Sequence, residues 1–530
     1  MSKKLLFSKL FFLLFNFVMS QNITLNEGGK LTVQKSGYVV IDGDFSNNSE
    51  TENVNLNSDS DEFSSLIVKG NTSNGQITYN RWVNSMDNGG DLVGSPLKSQ
   101  AIGEFITENS FVIDAAGSYY AFSSYNNEID EWISFDTSSL DLFESGRGYA
   151  VATTSGATMS FKGGVEVSNN GVAYLGSNFL GNDNGGTQWI LASNPYPSYI
   201  HGNSIGNDVI NDFMTENSSS MDPNYVAIYG WKQLNSYNYQ VFNNTNQDQL
   251  YIAPGQAFMV SIKDPTTSNP PLPPFYPQHI YFNKNMQTYI GDDDFIQGSP
   301  SVVTNELVLR LYNNETLIDY TRFYFSNDMS TGLDPGYDAG HFNQNASLMS
   351  RLVSDDNGIG FIINAINLDD ALTNPIPLVV NQSAGQEFRI NLHTLNIEAQ
   401  DVYIEDNVLQ TFTLLNDEDY IFTSSSDISG FGRYYLHMGE GTLSNNENEL
   451  SSVLIYKKIG DDFINIDGLY LLSENSSVEI YDLLGRSILN KKLNLDQNNY
   501  KISTSNFSKG VYIVYLRSSG KFLKKKVIVD

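Results

Sequence analysis

A serine flanked by glycines is the pattern in this chain that comes closest to a catalytic signature. Gly202, Ser204 and Gly206 stand at the G-x-S-x-G spacing that exposes a nucleophilic serine between a buried strand and a helix. His201 lies beside it as a candidate base. Residues 194–198 before it contain two prolines, which do not suit a central strand, and no alternation of strands and helices surrounds them. We therefore interpret Ser204 as a loop serine and predict no catalytic residue.

The sequence contains few candidate ligands for a transition metal. The chain has no cysteine, so thiolate metal sites, disulfides and cysteine nucleophiles are all excluded. Its five histidines do not pair at the spacing of a zinc site, and the HExxH motif is absent. These histidines are His201, His279, His341, His393 and His437. We predict no metal ligand among them.

Four acidic loops carry the oxygen ligands that calcium prefers. They are residues 59–62, 182–185, 292–294 and 334–338. None of them completes the twelve-residue EF-hand pattern. We interpret them as solvated turns and predict no cofactor, with Ca²⁺ as the one cation that these loops would suit.

Polysaccharide hydrolysis is the enzymatic alternative, because it needs only two carboxylates at a set separation. The chain offers 60 acidic residues, from which the sequence alone does not select a pair. Aromatic residues form 12% of the chain. They could line a sugar-binding surface, although tyrosine also fits half-buried strands and needs no ligand to explain it.

The secondary structure that would position these candidate residues is predicted to consist of strands throughout. Residues 21–83 show apolar pulses of three or four residues separated by Asn, Gly and Ser, which predicts the stacked rungs of a short β-solenoid. Residues 301–440 show regular short strands with turn residues between them, which predicts a β-sandwich. Residues 441–452 are rich in Ser, Asn and Glu and are predicted to be a linker. No helical periodicity is evident after residue 20.

A diverged internal repeat occupies residues 84–300, predicted as two related β units at about 84–186 and 187–300. The segment from Leu92 to Pro96 recurs 99 residues later, starting at Leu191. The segment around Tyr149 recurs 109 residues later around Phe258. Aromatic strands lie between the two segments in each copy, with Trp132 in the first and Trp231 in the second. The predicted fold class is therefore all-β and multidomain.

The last segment, residues 453–530, carries three motifs in order. They are YDLLGR from Tyr481, SKGVYIVYL from Ser508, and GK followed by KKVIV from Gly520. Apolar alternation closed by Gly, Asn or Asp predicts antiparallel hairpins here. The motif residues are Tyr481, Asp482, Leu484, Gly485, Arg486, Gly510, Tyr512, Gly520, Lys521, Lys525 and Lys526.

These motifs closely resemble the type A C-terminal sorting domain of the type IX secretion system (Por secretion system) of Bacteroidetes. The resemblance implies an Ig-like β-sandwich recognised by sorting machinery at the outer membrane. It also implies that the domain is commonly removed, and that the cargo is then released or anchored to surface lipopolysaccharide. The order of segments in the whole chain is similar to that of large secreted surface proteins of flavobacteria.

The N-terminus agrees with export. Residues 1–20 combine basic residues with a short apolar run, which predicts a signal peptide cleaved between Ser20 and Gln21. No cysteine follows that position, and no later run approaches the length of a transmembrane segment, so we predict neither a lipid anchor nor a membrane span. Formal net charge is −30, which argues against nucleic acid or anionic lipid as a partner. Residues 491–530 differ, with nine Lys or Arg against two Asp.

The sequence thus predicts a protein that crosses the periplasm and the outer membrane. It is then either secreted or attached to the cell surface. Its expected partners are the outer-membrane secretion and sorting machinery and a ligand such as lipopolysaccharide or another glycan. We predict an interaction or adhesion role without enzyme activity. The alternative is a secreted hydrolase that acts on polysaccharide.

Overall fold

The computed structural model has an all-β, multidomain architecture, which confirms the predicted fold class. It describes residues 22–85, 90–113, 120–168, 172–174, 186–203, 211–231, 239–245, 249–264, 279–291, 293, 305–398, 400–439, 453–457, 462–469, 472, 476–482, 486–493, 499–518 and 521–529, with the backbone alone at 19–20, 173–174 and 521.

The first segment is a β-solenoid with three parallel sheets. Its strands are β1 (Met19–Ser20), β2 (Ile23–Leu25), β3 (Leu31–Val33), β4 (Tyr38–Ile41), β5 (Phe45–Asn47), β6 (Val54–Asn57), β7 (Ser65–Val68), β8 (Thr72–Ser73) and β9 (Gln76–Val83). Parallel pairing runs through β1-β4-β7, through β2-β5-β8 and through β3-β6-β9. The inward residues Phe45, Leu56 and Leu66 are fully buried between these sheets. Short polar corners between apolar pulses are therefore the turns between solenoid faces.

The first repeat unit follows. Its elements are β10 (Asp91–Val93), α1 (Ile102–Glu108), β11 (Phe122–Asn126), β12 (Glu131–Ser134), β13 (Tyr149–Val151) and β14 (Ala157–Gly164). Strands β10 to β13 form one sheet in the order β10-β13-β11-β12, whereas β14 pairs antiparallel with β9 at the edge of the solenoid. Rings of Phe105, Phe122 and Tyr149 pack in a core that is continuous with that of the solenoid.

The second repeat unit has the same plan. Its elements are β15 (Val172–Tyr174), β16 (Trp189–Ser193), β17 (Tyr199–His201), α2 (Phe213–Asn217), β18 (Ile228–Trp231), β19 (Tyr239–Phe242), β20 (Tyr251–Ile252), β21 (Ala257–Ser261), β22 (Ile280–Phe282) and β23 (Gln287–Thr288). Its main sheet runs β16-β21-β18-β19, which repeats the order of the first unit. β15 precedes residue 187, where the second unit is predicted to begin. It nevertheless pairs with β22 and packs in the core of the second unit.

The two units meet around an approximate two-fold axis. Val93 forms an antiparallel bridge with Gln256, and Arg147 forms one with Ala192. The sequence repeat relates these two bridges to each other. Val93 in the first unit corresponds to Ala192 in the second, and Arg147 corresponds to Gln256. The hydrogen bonds Gly94 N to Gly255 O and Ser193 N to Gly146 O, both 2.8 Å, obey the same exchange. The repeat thus folds like a fused symmetric dimer, in which equivalent patches contact each other.

One long sheet forms the predicted sandwich. Its strands are β24 (Glu306–Asn313), β25 (Thr316–Phe325), β26 (Ala339–Gly340), β27 (Leu348–Ser350), β28 (Phe361–Ile366), β29 (Ile376–Val380), β30 (Glu387–Leu395), β31 (Val402–Asp406), β32 (Thr411–Leu414), β33 (Tyr420–Thr423) and β34 (Tyr434–Met438), with α3 (Leu368–Thr373) between β28 and β29. The sheet folds over on itself, so that Phe388 on β30 lies 6.3 Å from Tyr434 on β34 across a shared core.

The last segment is a small sandwich of two sheets. Its strands are β35 (Leu454–Tyr456), β36 (Phe463–Asp467), β37 (Ser477–Asp482), β38 (Ser487–Lys492), β39 (Asn499–Ser503), β40 (Gly510–Ser518) and β41 (Lys521–Val529). One sheet has the order β35-β36-β39 and the other β38-β37-β40-β41. Ile464, Ile480 and Val514 are fully buried between them.

Three short helices were not predicted, because each is too brief to show a periodicity. They are defined locally instead. Asp212 caps α2 by accepting a hydrogen bond from Thr215 N at 2.8 Å, and Asn367 caps α3 by accepting one from Asp369 N at 2.9 Å. Among the described residues, no helix has the length and apolar character needed to cross a membrane.

Candidate functional site

A pocket of about 350 Å³ lies where the two repeat units meet. The first unit supplies most of its wall from β10 to β13, and the second unit closes one side. Its aromatic lining residues are Tyr120, Phe122, Trp132, Trp231 and Tyr239. The pocket has a size at the lower end of small-molecule sites, which range from about 300 to 1,000 Å³.

Each unit brings one Trp–Tyr pair to this junction. Tyr125 on β11 is the cross-strand partner of Trp132 on β12, with ring centroids 5.3 Å apart. Trp231 on β18 is the partner of Tyr239 on β19, at 4.9 Å. The same two strand positions therefore carry the pair in both units, with Trp and Tyr exchanged. Cross-strand aromatic pairs stabilise each other's orientation and leave their outer faces available.

The aromatic residues differ in how they are held. Trp132 is 46% exposed and opens to solvent. Tyr239 is buried and packs on Phe342 from the sandwich, with ring centroids 4.2 Å apart. The pocket thus combines a fixed inner wall with an accessible outer ring.

An ion pair lies at the base of the pocket. Arg81 Nη1 is 3.3 Å from Asp91 Oδ2, and both side chains are fully buried. Arg81 also donates from Nε to Pro254 O at 2.9 Å and from Nη1 to Trp82 O at 2.6 Å. Burial raises the pKa of Asp91, and the guanidinium of Arg81 opposes that rise. Arg81 on the solenoid therefore connects the solenoid with both repeat units and offsets the charge of Asp91.

The polar groups that line the pocket are few. Ser123 and Ser134 bring hydroxyl groups to its wall, and Asp91 is the one carboxylate among the described lining residues. An apolar pocket with a few hydroxyl groups suits recognition of a largely neutral ligand. The lining residues that the structure describes include no pair of carboxylates for acid–base chemistry.

The glycine-flanked serine falls partly outside the described residues, which stop at Asn203 and resume at residue 211. His201 lies on β17, which pairs antiparallel with β20 and β23. A nucleophile elbow instead follows a strand of a parallel sheet. The ring of His201 contacts Gln249 Nε2 at 2.9 Å, and burial lowers its pKa.

The other histidines lie far apart in the fold. His341 contacts Asp319 at 3.2 Å, and His437 contacts Glu405 at 2.6 Å. His393 lies on β30, where burial lowers its pKa, and His279 lies 5.7 Å from the ring of Tyr281. Within the part of the chain that the structure describes, no group of three His, Asp or Glu side chains could hold a metal ion.

Two of the acidic loops are described in full. Asp59 pairs with Lys35, and its Oδ1 accepts hydrogen bonds from the backbone of Asp61 and Glu62. Asp338 accepts hydrogen bonds from Asp334 N and Ala365 N, both at 2.6 Å. These carboxylates organise their own loops. Residues 182–185, 292 and 294 lie outside the described residues, and the calcium expectation stays a prediction.

The sorting motif organises the hairpin of β37 and β38. Arg486 Nε donates to Asp482 Oδ2 at 2.7 Å, and Arg486 N donates to Oδ1 at 2.9 Å. Tyr481 lies on β37 beside them, whereas Leu484 and Gly485 lie outside the described residues. The motif aspartate and arginine therefore form an ion pair that closes the hairpin.

The remaining motif residues lie on β40 and β41. Gly510 begins β40, and the hydroxyl of Tyr512 donates to Ser508 O at 2.7 Å. Lys521, Lys525 and Lys526 lie on β41, with Lys526 exposed and Lys525 half-buried, whereas Gly520 lies outside the described residues. Phe522 and Ile528 are 62% and 59% exposed on this strand, which gives the sorting domain an apolar and cationic outer face.

The predicted cleavage site is only partly described. Met19–Ser20 forms β1, which pairs in parallel with Val40 and Ile41. Cleavage after Ser20 would remove this strand from the solenoid edge. Gln21 lies outside the described residues, and the signal peptide stays a prediction.

Comparison with known protein families gives a match for residues 15–437 and another for residues 460–530. Residues 15–437 match a family described as a domain of unknown function (DUF8693). The chain belongs to this family. The match ends within β34, so that the solenoid, the two repeat units and the sandwich occur together as one family region. None of the curated proteins matches the chain.

Residues 460–530 match the secretion system C-terminal sorting domain, which confirms the resemblance to type IX sorting domains. The protein is thus exported as a secreted or cell-surface protein and interacts with the secretion machinery. β35 lies just before the match and pairs with β36 inside it.

Sequence reasoning found Trp132 and Trp231 as part of an aromatic repeat but did not place them in a site. It missed Tyr239, Asp91 and Arg81. The signal for Arg81 was a charged residue between the aromatic and apolar residues of β9, where a buried cation needs a partner.

Proposed function

We propose that this protein is a non-catalytic interaction protein of the cell surface, and that the aromatic pocket between its repeat units binds a glycan. The observation that carries the proposal is the paired placement of Trp132 with Tyr125 and of Trp231 with Tyr239 at one junction. An adhesive role follows, because a glycan-binding protein outside the cell attaches that cell to surfaces that display the glycan.

The chemistry of the pocket favours a sugar ring. C–H groups on a sugar face carry partial positive charge and stack on the negative faces of aromatic rings. Ser123 and Ser134 offer hydroxyl groups for hydrogen bonds with the sugar. The exposed ring of Trp132 gives an entering sugar an open stacking surface.

Charge favours a neutral glycan. Asp91 is offset by Arg81, and the described lining residues include no further charged group that could pair with a uronic acid or a phosphate. The overall net charge of −30 also repels polyanions. The uncharged sugars of a surface polysaccharide, including those of lipopolysaccharide, are thus the ligands that fit.

The direct test uses the purified protein on an array of neutral and acidic oligosaccharides. We expect neutral oligosaccharides to bind, and Trp132→Ala to weaken that binding roughly two- to tenfold, since an aromatic stacking contact contributes about 0.5–1.5 kcal/mol. Phe412→Ala is the matched control, because Phe412 is also an exposed aromatic residue, 43% exposed, but lies on the sandwich. Equal binding by wild type and Trp132→Ala would contradict the proposal.

The hydrolase alternative makes a different prediction for the same array. Retaining and inverting glycosidases both need two carboxyl groups around the bond that breaks. The described lining residues supply only Asp91, and that residue is ion-paired. New reducing ends released from a bound oligosaccharide, and lost in Asp91→Asn, would favour the hydrolase over the binding protein.

A further inference from the structure

A second buried arginine lies where the sandwich contacts the sorting domain. Arg351 follows β27, and its side chain is 6% exposed. Its guanidinium forms a two-point ion pair with Asp356, from Nε to Oδ1 at 3.0 Å and from Nη2 to Oδ2 at 2.6 Å. Such a planar, bidentate pair fixes the guanidinium in one orientation.

This guanidinium contacts rings from two different domains. The ring centroid of Phe431, from the sandwich, is 5.7 Å from Arg351 Cζ. The ring centroid of Tyr456, on β35 of the sorting domain, is 5.0 Å from it. Both distances lie within the range of favourable cation–π contacts, which strengthen as the site is desolvated.

Within the sorting domain, a hydrogen bond fixes the position of Tyr456. The hydroxyl of Tyr456 donates to Asp467 Oδ2 at 2.9 Å, and Asp467 lies on the neighbouring strand β36. Burial raises the pKa of Asp467, and the nearby cation of Arg351 opposes that rise. The guanidinium is therefore attracted to the ring of Tyr456 and to the carboxylate behind it.

Apolar contacts and a peripheral ion pair surround the arginine. The sandwich contributes a buried cluster of Ala346, Met349, Val379, Phe431 and Tyr435, and Leu454 on β35 packs against it. At the rim, Lys525 Nζ on β41 lies 3.9 Å from Asp355 Oδ1. Asp355 is 93% exposed, so this pair adds orientation rather than strength.

We infer that this surface of the sandwich is a docking site for the chain's own sorting domain, with Arg351 in contact with both Phe431 and Tyr456. The sorting domain is then held by contacts as well as by the peptide connection. Cleavage between residue 439 and residue 453 leaves the two parts associated. Release of the cargo requires a second event that separates this interface, and separation uncovers the Arg351 cluster.

The test uses the full chain with a specific protease site inserted between residues 441 and 452. After complete cleavage, we expect the two fragments of the wild-type sequence to co-elute in size-exclusion chromatography at micromolar concentration. Tyr456→Ala and Arg351→Ala should each weaken retention roughly tenfold or more, equivalent to about 1.4 kcal/mol. Separate elution of the wild-type fragments would overturn the inference.

Two controls separate docking from folding. Arg389→Ala removes an arginine with the same two kinds of partner, since Arg389 pairs with Asp419 and lies 4.4 Å from the ring of Tyr312, but Arg389 is 27% exposed and both of these partners lie in the sandwich. It should leave retention unchanged. Tyr456→Ala alters only the sorting domain and leaves the Arg351–Asp356 pair intact, so it keeps the test valid if Arg351→Ala fails to fold. Co-elution of cleaved Tyr456→Ala with wild-type strength would also overturn the inference.

Discussion

At the residue scale, two buried arginines take part in the junctions between the parts of this chain. Arg81 offsets Asp91 beneath the aromatic pocket, and Arg351 offsets Asp356 beneath the sorting domain. In each case the guanidinium also faces a ring, Phe63 at 5.2 Å for Arg81 and Tyr456 at 5.0 Å for Arg351. Arginine suits this task because its flat cation can stack and form paired hydrogen bonds at the same time.

Replacement of Arg81 by methionine should destabilise the protein by about 3–5 kcal/mol, because it leaves Asp91 as a buried charge without its cation. The double replacement Arg81→Met with Asp91→Leu should recover part of this loss, since no buried charge then remains. Chemical denaturation of the wild type and the two variants measures the effect. An Arg81→Met variant as stable as the wild type would show that the ion pair does not support the junction.

Asp338 gives the stability of the protein a dependence on pH. Burial raises its pKa to about 7, with a further contribution from Asp334, against the hydrogen bonds from Asp334 N and Ala365 N. The folded state thus binds more protons than the unfolded state between about pH 4 and 7. The stabilising contribution is fully present below the unfolded pKa and is lost as pH rises through 7.

Asp338→Asn should therefore flatten the decline in unfolding free energy between about pH 4 and 7, which for one such group has a slope of up to about 1.4 kcal/mol per pH unit. Asp328→Asn, at an exposed site, is the control and should leave the profile unchanged. The measurement is denaturant unfolding across this pH range. If unfolding free energy falls with pH as steeply in Asp338→Asn as in the wild type, a group other than Asp338 causes the pH dependence.

At the element scale, the tandem units depend on a close approach of their backbones. A methyl group at Gly94 would lie 2.0 Å from Ser193 Oγ and 2.6 Å from Arg147 O, both in segments that form the two-fold junction. Gly94→Ala should cost about 1–3 kcal/mol, as overpacking does. Gly332→Ala is the control, because nothing lies nearer than 3.6 Å to its added methyl. Thermal melting distinguishes them, and equal melting temperatures would contradict the packing argument.

Much of this organisation could be predicted from local sequence. The parallel solenoid follows from apolar pulses with polar corners, and the repeat follows from the segments that begin at Leu92 and Leu191. The two-fold contact could not be predicted, because it depends on how Val93 meets Gln256 in space. The pocket could not be placed for the same reason, since Trp132 and Trp231 are 99 residues apart in sequence and meet only through that junction.

At the scale of the whole molecule, the chain combines a compact family region with an export signal. The solenoid, the repeat units and the sandwich share contacts through Arg81 and through the apolar cluster around Tyr229, whose hydroxyl donates to Gly340 O at 2.8 Å. The basic sorting domain could be recognised from its motifs alone, because motifs such as YDLLGR lie in one hairpin. Its docking through Arg351 could not, because that contact joins distant segments.

The most direct measurement of the whole account is glycan binding by the protein recovered outside the cell. Periplasm, cell surface and medium are separated, and each fraction is assayed for the protein and for its retention on an immobilised neutral oligosaccharide. We predict that the wild type reaches the outside and is retained, that Trp132→Ala reaches the outside and is not retained, and that deletion of residues 453–530 leaves the protein in the periplasm. Retention of Trp132→Ala at the wild-type level, or normal export of the deletion variant, would contradict the account.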